Sequence, residues 1–265
     1  MYTFNYQKAK SVADAAAVLA KNGDARPLAG GQSLIAAMKL RLSRPSDVVD
    51  LGTIPDLKGI KVDGSTVTIG AMTRHAEVAA SPDVRKAIPA LAALAGGIGD
   101  RQVRNMGTIG GSLANNDPAA DYPAGVLGLG ATIVTNKRKI AADDFFKGMY
   151  ETALEQGELI TSVVFPIPKR AAYMKFRNPA SRYAIVGVFV ADTGKGARVA
   201  VTGAAPSVFR APDMEKALAS KFAPESVASV KVKADGLNSD LHAKADYRAH
   251  LVTVMARRAV EAALK

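Results

Sequence analysis

Two short glycine-rich segments constrain this chain more than any other feature of its sequence. The first reads AGGQS over Ala29–Ser33, and the second reads GTIGGS over Gly107–Ser112. A glycine pair lacks the Cβ atoms that would block a close approach, and it allows backbone conformations of positive φ. Successive N–H groups in such a turn form a concave site for an anion. One pair alone is usually just a tight turn, but two pairs can hold a pyrophosphate from opposite sides.

The usual dinucleotide fingerprint is absent. A Rossmann fold carries GxGxxG directly after its first strand. The nearest match here is GLGATI, over Gly128–Ile133, and it has Ile133 where the last glycine should stand. If the two glycine segments hold a dinucleotide, the sequence therefore predicts a fold that is not Rossmann-like.

Residue usage limits the chemistry that the chain itself can perform. It has no cysteine among its 265 residues, so it forms no disulfide and offers no thiolate to an iron–sulfur cluster. Its three histidines, His75, His242 and His250, show none of the short spacings of zinc sites. We therefore predict no metal site and no catalytic side chain, and we expect the chemistry to come from a bound cofactor.

Charge and hydropathy indicate the environment and the partners. The formal net charge is +11, but the basic residues are scattered and are not interleaved with aromatic residues. This pattern favours an anionic ligand or an acidic partner protein over specific nucleic-acid binding. No apolar run is long enough to span a bilayer, and the start of the chain lacks the apolar stretch of a secretory signal. We expect a cytoplasmic protein.

The order of predicted elements favours an α+β fold with a separate C-terminal domain that begins near Met174. Before that point, helices and short strands are mixed; Ser11 is predicted to cap the first helix and Gly23 to end it in the left-handed conformation. One helix is predicted over residues 83–97, and a polar loop over residues 100–116. After it, three successive strands precede two helical stretches.

The two glycine segments and their flanks resemble a known family. LAGGQSLIAAMKLRLSRPSDVVDL and IGDRQVRNMGTIGGSLANNDPAADYPA are similar to the flavin segments of the FAD-binding medium subunits of molybdenum hydroxylases, such as the aerobic carbon monoxide dehydrogenases. The FAD domain of xanthine dehydrogenase is a more distant relative. Further matches, including KFRNPASRYAIVGV, follow in order over nearly the whole chain. The resemblance implies a two-part FAD-binding domain of the vanillyl-alcohol-oxidase type over 1–173, with subdomains of about 1–55 and 56–173, and a small α+β domain over 174–265.

The resemblance also implies which residues bind the cofactor. The pyrophosphate would be held by two sets of residues, which are Ala29, Gly30, Gly31, Gln32, Ser33 and Leu34 in the first segment and Thr108, Ile109, Gly110, Gly111 and Ser112 in the second. Asp121 matches a family aspartate that binds the ribose, and Ile98 and Ile160 match apolar positions against the cofactor. Arg177 and Tyr183 match a basic and an aromatic residue near the isoalloxazine, with Lys175 as an alternative to Arg177. Gln32 and Arg101 depart from the histidine and the proline that are frequent in the family.

The function implied is that of the middle subunit of a three-part enzyme. Such a chain carries FAD, takes electrons from the [2Fe–2S] clusters of a small subunit and passes them to an external acceptor. A large subunit holds the molybdenum cofactor and oxidises the substrate. We expect a dimer of heterotrimers, with peripheral membrane association left open. Two alternatives remain at this point: a stand-alone FAD oxidoreductase of the vanillyl-alcohol-oxidase type, and a basic module that binds anions or nucleic acid. The substrate and the electron acceptor are not predicted.

Overall fold

The first subdomain is a small parallel sheet with two helices. The computed structural model describes residues 1–265. The first elements are β1 (Asn5–Lys8), α1 (Val12–Lys21), β2 (Arg26–Leu28), α2 (Leu34–Lys39) and β3 (Asp47–Asp50). The strands lie in the order β1-β3-β2, and both pairs are parallel.

The predicted start of α1 is confirmed, whereas its predicted end is wrong. The Ser11 hydroxyl accepts the N–H of Asp14, as expected of an N-cap. At the other end, Gly23 does not adopt positive φ, and Asn22 leaves the helix with an extended backbone. The Asn22 side chain donates to Ser46 and Asp47 beside β3, and these hydrogen bonds hold the chain extended where the helix stops.

The second subdomain surrounds a five-stranded antiparallel sheet. Its order is β4-β5-β10-β6-β7, and β8 and β9 form a separate small hairpin. The elements are β4 (Ile60–Asp63), β5 (Thr66–Gly70), α3 (His75–Ala80), α4 (Pro82–Ala87), α5 (Pro89–Gly96), α6 (Arg101–Met106), α7 (Ile109–Asn115), α8 (Tyr122–Leu129), β6 (Thr132–Thr135), β7 (Lys139–Ala141), α9 (Ala142–Phe145), β8 (Phe146–Gly148), β9 (Glu151–Thr152) and β10 (Ile160–Pro166).

Two predictions in this region are wrong. The single helix expected over residues 83–97 is broken into α4 and α5, because Pro89 cannot donate the hydrogen bond that would continue α4. The polar loop expected over residues 100–116 is mostly helical. The Asp100 carboxylate caps α6 by accepting the N–H of Val103, and the Thr108 hydroxyl caps α7 by accepting the N–H of Gly111.

The C-terminal part is an antiparallel sheet covered by helices. Its elements are β11 (Arg170–Arg177), β12 (Ala184–Asp192), β13 (Ala197–Thr202), β14 (Phe209–Arg210), α10 (Pro212–Ser220), α11 (Pro224–Ala228) and α12 (Ala245–Ala263). The strands follow one another in sheet order. The first of the three predicted strands is confirmed as β11, and Met174 lies inside it. The short helix α11 was not predicted.

Strand β12 joins the two parts because both of its faces are buried. Val188 and Val190 belong to the core shared with α12, whereas Phe189 and Ala191 belong to the core shared with α8. The close approach of α8 requires glycine: a Cβ on Gly128 would lie 2.8 Å from the Phe189 ring. No helix of the chain is long and apolar enough to cross a bilayer.

Candidate functional site

The first glycine segment presents unpaired backbone donors. It follows β2 and leads into α2, and Gly31 has a φ of 74°, which side-chain-bearing residues rarely adopt. The N–H groups of Gly30, Gly31, Gln32 and Ser33 donate to no acceptor in the protein. Gln32 and Ser33 are exposed, and the segment has no carboxylate. The predicted anion site is therefore formed here by backbone geometry alone.

The second segment packs directly against the first. A Cβ on Gly30 would overlap the carbonyl oxygen of Met106, and a Cβ on Gly111 would lie 3.3 Å from the Cβ of Ala29. The fold thus brings together two segments that are far apart in sequence. Glycine is needed on both sides of this contact.

The second segment is built differently from the predicted turn. Gly110 and Gly111 stand in the first turn of α7, and neither has positive φ. The N–H groups of Ile109 and Gly110 donate to the carbonyls of Thr73 and Ala71, so they are already paired. Gly110 is required because a Cβ there would lie 2.6 Å from the Cβ of Ala71.

The groups left without a partner are the N–H of Thr108 and the hydroxyl of Ser112. Leu34, the first residue of α2, is half-buried beside this junction.

Asp121 lies in a buried ion pair between the two parts of the chain. It is 3% exposed, and its carboxylate accepts from the Tyr173 hydroxyl and from Lys175 Nζ at 3.0 Å. Burial raises the pKa of Asp121, and the Lys175 ammonium partly offsets this effect. Lys175 also donates to the Gly97 carbonyl. In the structure Asp121 ties α8 to β11, and Lys175 is engaged by Asp121 and by the Gly97 carbonyl. The contact of Asp121 with a ribose stays a prediction.

Arg177 is an unpaired cation of this region. Its side chain is exposed, makes no hydrogen bond or ion pair, and lies beside Gly97, where a Cβ would be 3.8 Å from the guanidinium. Ile98 is half-buried next to it, and Tyr183 is 52% exposed. Ile160 is 5% exposed and packs in the large core cluster around β10. Its contact with the cofactor stays a prediction.

Sequence reasoning missed a buried polar pair under the second segment. The backbone N–H of His75 donates to the Gly107 carbonyl, and the His75 ring lies so close that a Cβ on Gly107 would be 2.6 Å from Nε2. Burial, together with the nearby charge of Arg104, lowers the pKa of His75 to about 4. His75 Nδ1 and the Tyr122 hydroxyl are buried without a partner, and the two rings are 5.3 Å apart. An isolated histidine in a sequence does not indicate that its ring is buried beneath a glycine segment.

The glycine-lined junction and its free N–H donors have the geometry that suits an anion. The chain matches the model for the FAD binding domain in molybdopterin dehydrogenase over residues 2–168. It matches the CO dehydrogenase flavoprotein C-terminal domain over residues 171–263. The chain belongs to this family of FAD-binding flavoproteins.

Whole-length relatives agree with this assignment. The chain is 39% identical to the carbon monoxide dehydrogenase medium chain of Afipia carboxidovorans, with 98% of this chain and 96% of the relative covered. It is 38% identical to the nicotine 6-hydroxylase medium subunit of Paenarthrobacter nicotinovorans, with 96% and 95% covered. A structure of the carbon monoxide dehydrogenase of Hydrogenophaga pseudoflava that lacks the Mo-pyranopterin moiety matches with a TM-score of 0.91 and 38% identity, over 99% and 98% of the two chains.

The predicted class is confirmed. The chain is an FAD-binding medium subunit of an oxidoreductase of the molybdenum hydroxylase class, with the predicted two-part fold. Its relatives along the whole length are subunits, which favours this role over a stand-alone oxidoreductase or a nucleic-acid-binding module.

Proposed function

We propose that FAD binds at the junction of the two glycine segments, with its pyrophosphate on the four unpaired N–H groups of Gly30–Ser33. This one observation carries the proposal, because four successive N–H groups without an acceptor form a concave site for an anion. Gly30 and Gly31 are half-buried, and backbone donors in such positions are rarely left unpaired unless water or a ligand pairs them. The hydroxyl of Ser112 and the N–H of Thr108 supply further donors from the second segment. Glycine at positions 30 and 111 lets the two segments pack closely, and this close packing brings the donors of both segments to one junction.

The other predicted contact residues differ in whether their side chains already have a partner in the protein. Arg177 is unpaired and exposed, whereas Lys175 is bound to Asp121, so we assign the cation near the isoalloxazine to Arg177. Asp121 would then act by fixing β11, and through it the position of Arg177. Ile98 and Tyr183 border the same region and would limit access of water to the ring.

Each part of the chain has a definite task in electron transfer. The bound flavin supplies the ability to accept electrons singly and release them in pairs. The glycine segments hold its phosphates, and the positive charge of Arg177 favours negative charge on the neighbouring ring. No side chain of the junction is placed to act as an acid or a base, so its residues bind and orient.

The partners follow from the family. We propose that the chain assembles with a large subunit that carries the molybdenum cofactor and a small subunit that carries [2Fe–2S] clusters, as two heterotrimers in the cytoplasm. The net charge of +11 supports docking on acidic subunit surfaces. We further propose that the cofactor-binding unit extends over 1–173 and the C-terminal unit over 174–265.

Replacement of Gly30 tests the assignment of the pyrophosphate site. Gly30→Val would push the two segments apart, because its Cβ overlaps the carbonyl of Met106, and we expect loss of bound FAD. The matched control is Gly23→Val, since a Cβ at Gly23 meets only the Gln156 side chain at 3.7 Å and the backbone has no positive φ. FAD per chain is measured by visible absorbance, and circular dichroism monitors the fold. Full FAD content in a folded Gly30→Val variant would refute the assignment.

A further inference from the structure

Arg104 connects the loop before α6 to the helix that packs on the first glycine segment. Its side chain turns back towards the start of α6, and a single nitrogen, Nη1, donates to the carbonyls of Ile98 at 2.8 Å and Gly99 at 3.1 Å. At the other end of the same helix, the carbonyl of Met106 lies against Gly30, where a Cβ would overlap it. The loop and the first segment are therefore fixed to one helix.

The three carbonyls of this loop, residues 97–99, all accept hydrogen bonds from cationic side chains. The Gly97 carbonyl accepts from Lys175 Nζ at 3.0 Å, and the next two accept from Arg104. The N–H groups of Gly97 and Ile98 donate back to α5, and Gly99 completes the loop with a φ of 46°. Because the loop belongs to no helix or strand, the two cationic side chains are what hold its carbonyls in place.

The loop borders both sides of the proposed flavin site. Gly97 lies beside Arg177, which is assigned above to the isoalloxazine region. Through Arg104 the loop is joined to α6, and α6 contacts the first glycine segment at Gly30. A loop that moved away from α6 would therefore change the spacing between the ring side and the pyrophosphate side of the site.

The surroundings of Arg104 favour a role in fixing this loop. The residue is half-buried and takes part in none of the ion pairs of the chain. The only protein acceptors of its side chain are the carbonyls of Ile98 and Gly99. Hydrogen bonds from a charged donor are stronger than those between neutral groups. Arg104 therefore stabilises one conformation of the loop and does not serve as a surface ion pair.

We propose that Arg104 is a positioning residue of the flavin site, which holds residues 97–99 in the conformation that receives FAD and does not itself touch the cofactor. The proposal rests on the FAD site proposed above. Without the Arg104 side chain, two carbonyls would lose their donor, and the loop would have to become ordered when FAD binds. Ordering a loop on binding lowers affinity, so Arg104 acts by preorganising the site.

FAD titration of the full chain tests the proposal, with Kd measured by the change in flavin fluorescence. We expect Arg104→Met to bind FAD roughly ten- to thirty-fold more weakly, the effect of two lost hydrogen bonds. Arg104→Lys should recover most of the affinity, because one nitrogen makes both bonds and an ammonium nitrogen carries three donors. Arg101→Met is the matched control, since Arg101 lies exposed on the same helix and its side chain has no partner. Its Kd should be unchanged.

The Tm of each FAD-free variant separates positioning from a purely structural role. A lower Tm of Arg104→Met with an unchanged Kd would overturn the proposal, and so would a failure of lysine to restore affinity or an equal loss of affinity in Arg101→Met. In each of these cases the FAD site itself stands. If Arg104→Met does not fold, Arg104→Gln takes its place, because its shorter side chain reaches neither carbonyl, and wild-type affinity in that variant would refute the role. A wild-type chain that takes up no FAD refutes the proposed function first.

Discussion

At the scale of single residues, His75 makes the stability of the chain around the second glycine segment depend on pH. Its ring is 4% exposed and its Nδ1 is unpaired, so protonation in the folded state is unfavourable. The folded pKa is about 4, below the ordinary 6.5. The unfolded chain therefore binds the proton first, and stability falls as the pH drops from about 6.5 towards 4.

We expect the His75→Gln variant to lose part of this pH dependence. Between pH 7 and pH 5, His75 should lower the unfolding free energy of the wild type by about 2 kcal/mol. Glutamine does not titrate, so the variant should lack this contribution. Urea unfolding at the two pH values measures it, with His242→Gln as the control at an exposed position. If the wild type and His75→Gln lose equal stability between pH 7 and pH 5, His75 does not cause the pH dependence of stability.

The residue scale also shows where sequence reasoning stops. The position of Gly31 in a positive-φ turn was predictable from its neighbours, and so was the free backbone around it. The role of Gly110 was not, because its requirement comes from Ala71, a partner that only the fold brings near. For the same reason the engagement of Asp121 by Tyr173 and Lys175 could not be read from the chain.

At the scale of elements, most strands and helices were predictable from periodicity and capping residues. The errors arose where the overall composition of a segment masked the effect of a single capping or helix-breaking residue. Glycines obscured the caps Asp100 and Thr108, so α6 and α7 were taken for a loop. A continuous apolar pattern obscured Pro89, so two helices were taken for one. In both cases a single side chain decides where the helix begins.

Helix α8 provides an element-scale prediction. Gly128→Ala should destabilise the fold by about 1–3 kcal/mol, because the added Cβ would lie 2.8 Å from the Phe189 ring in a closely packed core. Gly96→Ala in α5 is the matched control, since a Cβ there meets Ala79 at an ordinary 3.8 Å. It should be neutral or stabilising by up to about 1 kcal/mol. Chemical unfolding compares them, and equal stabilities would contradict the packing of α8 on β12.

At the scale of the whole molecule, the fold brings together the parts of the proposed cofactor site, which are distant in sequence. The N-terminal subdomain contributes the free N–H groups, and the sheet subdomain contributes the helix against which they pack. The C-terminal sheet contributes Arg177 and, through Lys175, an ion pair to α8. The absence of cysteine places any iron–sulfur cluster on another chain, and the comparisons confirm the class of enzyme in which this is so.

The most direct test of the account is titration of the purified, folded chain with FAD. We expect binding of one FAD per chain, a shifted visible flavin spectrum and a Tm that rises with FAD concentration, because a ligand stabilises the state that binds it. Gly30→Val should show none of these changes, whereas Gly23→Val should show all of them. A folded chain that stays colourless and whose Tm does not respond to FAD would contradict the account.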